Sequence, residues 1–151
     1  LSSNIYDKQI AFNVLPHCGD FGDNSYTQEE MKMVWETHRI LDPNIEVGAT
    51  CVRVPVVNGH SESVHIETME PISIDLVIEC LSEAKGVNLI QEKGSRSYVT
   101  AAEVDGTDSV YIGRLRMDLW NKNRLNLWIV ADNLRKGAAL NSIQIAEILF
   151  S

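Results

Sequence analysis

Arg53 and His60 stand seven positions apart in the run Ala49–Glu67, ATCVRVPVVNGHSESVHIE. A guanidinium offers a planar fork of donors that matches a carboxylate, and an imidazole takes or gives a proton near neutral pH. Val52, Val54 and Val56 alternate with Arg53, Pro55 and Val57. That period of two predicts a β-run with Arg53 on the face opposite the valines. Asn58-Gly59 then predicts a turn, His60 follows it, and a second β-run continues through Val64 and Ile66. Arginine and histidine at the two ends of such a stretch can grip a carboxylate and move a proton nearby. The pattern fits an ordinary hairpin equally well, with Arg53 on a solvated face and His60 an exposed turn residue. Spacing alone leaves both open.

Further chemistry-bearing side chains lie upstream. Thr27-Gln28-Glu29-Glu30 is a capping box and predicts a helix start, with the Thr27 hydroxyl and the Glu30 carboxylate each satisfying an amide. Met31, Val34, Trp35 and His38 recur at helical spacing and predict the buried stripe, which ends near Leu41 before Asp42-Pro43. Two i,i+3 ion pairs, Glu29/Lys32 and Glu36/Arg39, lie on the far side. Either could face a substrate, and a solvated charged face accounts for both; periodicity does not choose. His17 adjoins Cys18, but neighbouring loop residues rarely point at one another, so no nucleophile–base pair is assigned there.

The elements that must position these groups follow from the rest of the pattern. Ile10–Leu15 reads as a short strand ending at Pro16. Ser73 caps a helix over Ile74–Lys85 with Ile74, Val77, Ile78 and Leu81 as its stripe, Cys80 packing nearby, and Gly86 ending it. Val87–Ile90 reads as a short buried strand, and Thr100–Asp108 as an irregular connection. Val110–Met117 is a strand placing Tyr111, Gly113, Leu115 and Met117 against Ile112, Arg114 and Arg116, and Leu125–Ala131 is another. Asp132 caps a terminal helix to Phe150, with Leu134, Ala138, Ala139, Ile143, Ala146 and Leu149 on its apolar side. The architecture expected is α+β, a mixed and largely antiparallel sheet covered by helices on one face. The valine- and leucine-rich strands need cover on both sides, so a second copy is expected on the other face.

With 151 residues and 44% hydrophobic content, the chain can bury a sizeable core as one domain. A net charge of −8 argues against a nucleic-acid partner, which wants a basic surface. Three cysteines, Cys18, Cys51 and Cys80, are an odd number without framework spacing and point to reduced thiols and a cytoplasmic setting. There is no apolar run long enough to span a membrane, and no metal-ligand spacing or Gly-rich phosphate loop. The start at Leu1, with no signal-peptide pattern, suggests a fragment or processed product.

Three stretches together, YTQEEMKMVWET, CVRVPVVNGHSE and LNLWIVADNLRKGAA, resemble the C-terminal half of the aspartate-semialdehyde dehydrogenases, in that family's order and from about Ile10 to Leu149. The resemblance implies a glyceraldehyde-3-phosphate-dehydrogenase-like C-terminal domain. It also implies an NADP-dependent interconversion of aspartate semialdehyde plus phosphate with aspartyl phosphate, through a cysteine acyl thioester, in biosynthesis of lysine, threonine and methionine. By resemblance, His60 matches the acid–base histidine and Arg53 the arginine that holds the substrate carboxylate. Glu29 matches the residue receiving the ammonium group, Lys32 a phosphate-binding residue, and Asn133 a contact to the nicotinamide end of NADP. The resemblance thus selects Glu29/Lys32 over Glu36/Arg39.

It further implies that residues 1–131 form the substrate-binding and dimerisation domain of a homodimer joined through the sheet face. Residues 132–151 then form a helix that packs on an N-terminal dinucleotide-binding domain. That domain and the nucleophilic cysteine belong upstream of Leu1, so the chain alone is expected to be inactive. Two alternatives share the sequence features: a stand-alone dimerisation module without catalysis, and a related N-acetyl-glutamyl-phosphate reductase. Glu29 speaks against the second, because an acetylated amine leaves that carboxylate without a charge partner.

Overall fold

The computed structural model describes residues 5–150. Two compact units divide the chain, Leu1–Pro55 and Val56–Ser151.

The first unit is built on one helix, α1 (Gln28–Ile40). Its capping box forms as the sequence predicts: Glu30 N–H donates to Thr27 Oγ1 at 3.4 Å, and Thr27 N–H to Glu30 Oε2 at 2.8 Å. Met31, Val34 and His38 are half-buried, and His38 Nε2 lies 2.8 Å from the Ile45 carbonyl. Trp35, expected in that stripe, is exposed. The helix leans on the loop beyond it through the His38 side, which leaves Trp35 facing out.

No strand forms over Ile10–Leu15. A turn at Ile10–Asn13 interrupts it, and only Leu15 pairs, in an isolated antiparallel bridge to Arg53. The hairpin expected across Asn58-Gly59 is absent as well. Val52, Val54, Val56 and Val57 are exposed and outside any sheet. Pro55 supplies no amide donor, so the segment cannot extend a ladder past the single bridge.

The second unit contains a four-stranded sheet in the order β1-β4-β3-β2, from β1 (His60–Glu67), β2 (Val87–Leu89), β3 (Val110–Met117) and β4 (Arg124–Ala131). The pairs β1/β4 and β3/β4 are antiparallel and β2/β3 is parallel. The sheet is therefore mixed and largely antiparallel, as expected.

The central strand β4 is apolar on both faces. Leu125, Leu127 and Ile129 pack with Ile112, Leu115 and Met117 against helix α2 (Ile74–Glu83) through Val77 and Leu81. Trp128 and Val130 face the other way, towards Ala101 and Val104 of a short helix, α3 (Ala101–Val104), with Tyr111 and Val99. The larger helix thus lies on one face and a single turn of helix on the other. That turn falls where an irregular connection was expected. Its start is fixed by the Glu103 carboxylate, which accepts from Thr100 N–H at 2.7 Å and Thr100 Oγ1 at 2.6 Å.

Helix α2 shows the expected half-buried stripe of Ile74, Val77, Ile78 and Leu81. Cys80 is exposed rather than packed, because it lies off that stripe.

The alternation along β3 is broken by a bulge. Gly113 pairs with Trp128 and Arg116 with Asn126, three steps on β3 against two on β4. One extra residue reverses the parity. Ile112 therefore shares a face with Leu115 and Met117 instead of opposing them. Arg114 sits at the bulge with φ of 52° and donates its N–H to the Ser97 carbonyl at 2.8 Å.

After β4 the chain makes a widened turn, Arg135–Ala139, and then helix α4 (Leu140–Phe150). Its apolar side, including Ile143 and Leu149, is exposed among the described residues. No helix of the described residues is long and apolar enough to cross a membrane.

Candidate functional site

The first unit carries Glu29, Lys32 and Arg53. Glu29 and Lys32 lie in the first turns of α1 and form an ion pair, Oε2 to Nζ 3.2 Å, with both side chains about half exposed. Among the described residues, Glu36 and Arg39 form no such pair. Exposed ion pairs of this kind contribute little to stability, so Glu29 and Lys32 can part for a ligand at small cost.

Arg53 is held by its backbone. Its N–H donates to the Leu15 carbonyl at 2.8 Å, and its carbonyl accepts from Leu15 N–H at 3.0 Å. Its exposed guanidinium lies 5.4 Å from the centre of the Tyr6 ring, within cation–π range. A buried carboxylate links this segment to α1: Glu30 Oε1 accepts the Cys51 N–H at 2.8 Å while Oε2 holds Thr27. The Thr27 and then the Cys51 amides hold the Glu30 carboxyl below the usual glutamate range, against the opposing push of burial. Glu30 was expected only as a cap; its second bond spans 21 positions, and no local pattern announces it. A hollow of about 520 Å³ lies beside it, lined by Pro16, Phe21, Tyr26 and Thr50 among others, and not by Glu29, Lys32 or Arg53.

The second unit carries His60 and Asn133. His60 is the first residue of β1, opposite Ala131, the last of β4. It is exposed and lines a cleft of about 290 Å³ with Glu62, Ile129, Ala131, Asn133, Lys136 and Gly137. The structure thus brings His60 and Asn133 to one cavity, with apolar walls and a few convergent polar groups. Glu62 and Lys136 add a carboxylate and a cation that the sequence did not single out. Their signal was only positional, two residues past His60 and three past Asn133.

The turn before His60 is held on both sides. Asn58 Nδ2 donates to Asp105 Oδ1 at 2.9 Å, and Gly59 N–H donates to Asn133 Oδ1 at 2.9 Å. Gly59 has φ of 91°, and a Cβ there would meet the Ala101 Cβ at 3.2 Å and the Ala131 carbonyl at 3.3 Å. Only glycine fits that backbone without strain.

Asp132 sets the far side of this arrangement. It is buried; Oδ2 accepts Gly106 N–H at 2.8 Å, and Oδ1 accepts Leu134 N–H at 2.8 Å and Arg135 N–H at 3.1 Å. The cap predicted at Asp132 is therefore present, and it also anchors the turn after α3. The Gly106 amide is the main cause that its carboxyl sits below the usual aspartate range; burial opposes, and the Arg135 and Leu134 amides assist.

Asn133 spends its oxygen on Gly59, which leaves its Nδ2 as the donor there, beside the small side of Gly137. A donor so placed suits the carbonyl of an amide-bearing ligand.

Comparison with known proteins supplies the family. Residues 1–136 match the family of the semialdehyde dehydrogenase dimerisation domain. Aspartate-semialdehyde dehydrogenase of Shewanella violacea is 54% identical over 149 residues, covering 97% of this chain and 44% of the relative. That of Aquifex aeolicus is 48% identical over 145 residues, covering 95% of this chain and 43% of the relative. The crystal structure of aspartate semialdehyde dehydrogenase II of Vibrio cholerae complexed with ASA superposes with a TM-score of 0.90 at 48% identity, over 98% of this chain and 44% of that one. A probable aspartate-semialdehyde dehydrogenase from Pseudomonas aeruginosa superposes equally, TM-score 0.90, at 34% identity over 100% of this chain and 45% of that one. The chain spans less than half the length of the relatives it matches. The chain belongs to the semialdehyde dehydrogenase dimerisation-domain family.

Proposed function

We propose that this chain is the substrate-binding and dimerisation half of an NADP-dependent oxidoreductase that interconverts aspartate semialdehyde, with phosphate, and aspartyl phosphate. The observation that carries the reading is the identity near half of all positions with relatives named for that activity, along the whole chain. The proposed setting is a cytoplasmic homodimer, in biosynthesis of lysine, threonine and methionine.

Each residue then has one task. The Arg53 guanidinium grips the substrate α-carboxylate as a two-pronged donor. Glu29 leaves its partner Lys32 to receive the substrate ammonium group, and Lys32 turns to the phosphate. A cysteine thiolate from outside this chain attacks the aldehyde carbon to give a hemithioacetal; loss of a hydride from that carbon makes the acyl enzyme, and phosphate then displaces the thiolate to give the acyl phosphate. His60 moves the proton: it takes one from the adduct oxygen as the aldehyde is oxidised and returns one in the opposite direction. NADP, when bound, supplies or accepts the hydride. Asn133 orients the carboxamide of its nicotinamide from the cleft, and the terminal helix packs on the nucleotide-binding domain through its exposed apolar side.

The test is a substrate comparison with the full-length protein. Aspartate semialdehyde plus phosphate should drive NADP reduction, and N-acetylglutamate semialdehyde should not. Turnover of the acetylated substrate alone would move the assignment to the reductase, and turnover of neither would leave a dimerisation module.

A further inference from the structure

Asn133 reaches back 74 positions to the amide of Gly59, the residue immediately before His60. A backbone N–H only donates, so the atom facing it must be the amide oxygen. The bond is half-buried and 2.9 Å long. It fixes the Asn58–Gly59 peptide, one peptide before the one that carries the His60 nitrogen, at a glycine whose φ of 91° no other residue adopts readily. Asn133 is itself fixed, because its neighbour Asp132 is buried and bound to three amides on two segments. The near side is closed by the Ala101 Cβ and the Ala131 carbonyl, 3.2 and 3.3 Å from where a Gly59 Cβ would be. The His60 backbone thus rests on a chain of bonds from the α3 turn through Asp132 and Asn133, and His60 and Asn133 open into the same cleft.

We infer that Asn133 is the positioning residue of His60. Its oxygen holds the Gly59 peptide so that the imidazole stands at the cleft, and its Nδ2 is the group left for a ligand. One side chain therefore links what occupies the cleft to where the acid–base group stands. This rests on the reading of His60 as the acid–base residue. A displacement of an ångström at such a group costs roughly 100-fold in rate.

The experiment uses the full-length, coenzyme-free and loaded enzyme with Asn133→Ala and Asn133→Asp, the second of which keeps an acceptor oxygen for Gly59. In Asn133→Ala, kcat at saturating coenzyme should fall by about 10- to 100-fold. The His60 imidazole C–H resonances of the coenzyme-free protein should shift and broaden. Asn133→Asp should restore those resonances and bring kcat back to within about tenfold, while its KM for the coenzyme stays raised. A residue serving the coenzyme alone would give the opposite split: a raised coenzyme KM, unchanged kcat at saturation and unmoved His60 resonances. That result overturns the inference. Should Asn133→Ala fail to fold, the Gly59 amide in the unaltered protein decides, since it must be protected from hydrogen exchange, and rapid exchange overturns the proposal. His60→Ala with undiminished turnover would instead remove the acid–base reading, whereas the resonances in the Asn133 variants test the positioning whichever way that falls.

Discussion

The carboxylate of Glu30, the residue after Glu29, accepts the backbone amide of Cys51, two residues before Arg53, at 2.8 Å. The side chain that caps α1 thereby also sets the segment bearing the guanidinium. Its other oxygen is occupied by Thr27, so the carboxylate has no freedom to drift. Glu30→Ala in the full-length enzyme should raise the KM for aspartate semialdehyde by about 10- to 100-fold, the loss expected when a substrate clamp is misplaced. It should also lower the melting temperature through the lost cap. Steady-state kinetics check this, and a KM unchanged in a folded variant would detach Glu30 from the Arg53 segment.

Stability should fall on the acid side through the same kind of group. Glu30, Glu103, Asp118 and Asp132 all have carboxyls held below their ordinary values of 4.5 and 3.8, each chiefly by a hydrogen bond. In that window the unfolded chain binds more protons than the folded one, so stability drops as pH falls. The contribution is whole above the ordinary values and is lost as pH descends through the lowered ones. Melting temperature against pH should be flattened on its acid limb by Asp132→Asn, which cannot ionise and loses one of the two acceptor oxygens. An acid limb identical to that of the unaltered protein would show that Asp132 contributes nothing to it.

Much of this arrangement was legible in local pattern. The capping box at Thr27, the β3 and β4 strands, the α2 stripe and the Asp132 cap each follow from side chains within one or two turns of each other. What escaped is what depends on partners far along the chain. The valine alternation around Arg53 looks like a strand, yet among the described residues the ladder there is one bridge to Leu15. The parity change in β3 is invisible because it arises from Ser97, which takes up the Arg114 amide. The α3 turn, by contrast, carried a readable Thr-x-x-Glu signal at Thr100–Glu103. The candidate residues came from resemblance, and the bonds that hold them came from the fold.

The bulge itself makes a prediction about Gly113. A Cβ at that position would lie 2.5 Å from the Ser97 carbonyl oxygen and 3.0 Å from the Tyr98 Cα. Backbone on both counts cannot swing aside. Gly113→Ala should therefore cost about 1–3 kcal/mol by overpacking, seen as a lower urea midpoint with little change in slope. A variant as stable as the parent would mean that the Ser97–Tyr98 segment is free to move off the sheet.

Arg53→Lys keeps the charge and removes the fork. The lysine ammonium cannot present two parallel donors to one carboxylate. In the full-length enzyme, kcat/KM for aspartate semialdehyde should fall by about 10- to 100-fold, as for the loss of a hydrogen bond to a charged group. The melting temperature should stay close to that of the parent, because Arg53 is held through its backbone bonds to Leu15. An unchanged kcat/KM would place the carboxylate elsewhere.

His60→Ala is the sharpest of these tests because the fold gives the imidazole no structural work. The residue is exposed at the head of β1, and the turn before it is fixed by Asn58 and Gly59 through Asp105 and Asn133. Removing the ring should leave the sheet, the turn before it and the melting temperature as they are. Turnover of the full-length enzyme should nevertheless drop by roughly 10²–10⁴, the range for a lost acid–base group. The KM for aspartate semialdehyde should change little, since the holding is proposed for Arg53 and Glu29. A large fall in kcat with unaltered stability separates proton transfer from architecture, and normal turnover would take His60 out of the mechanism.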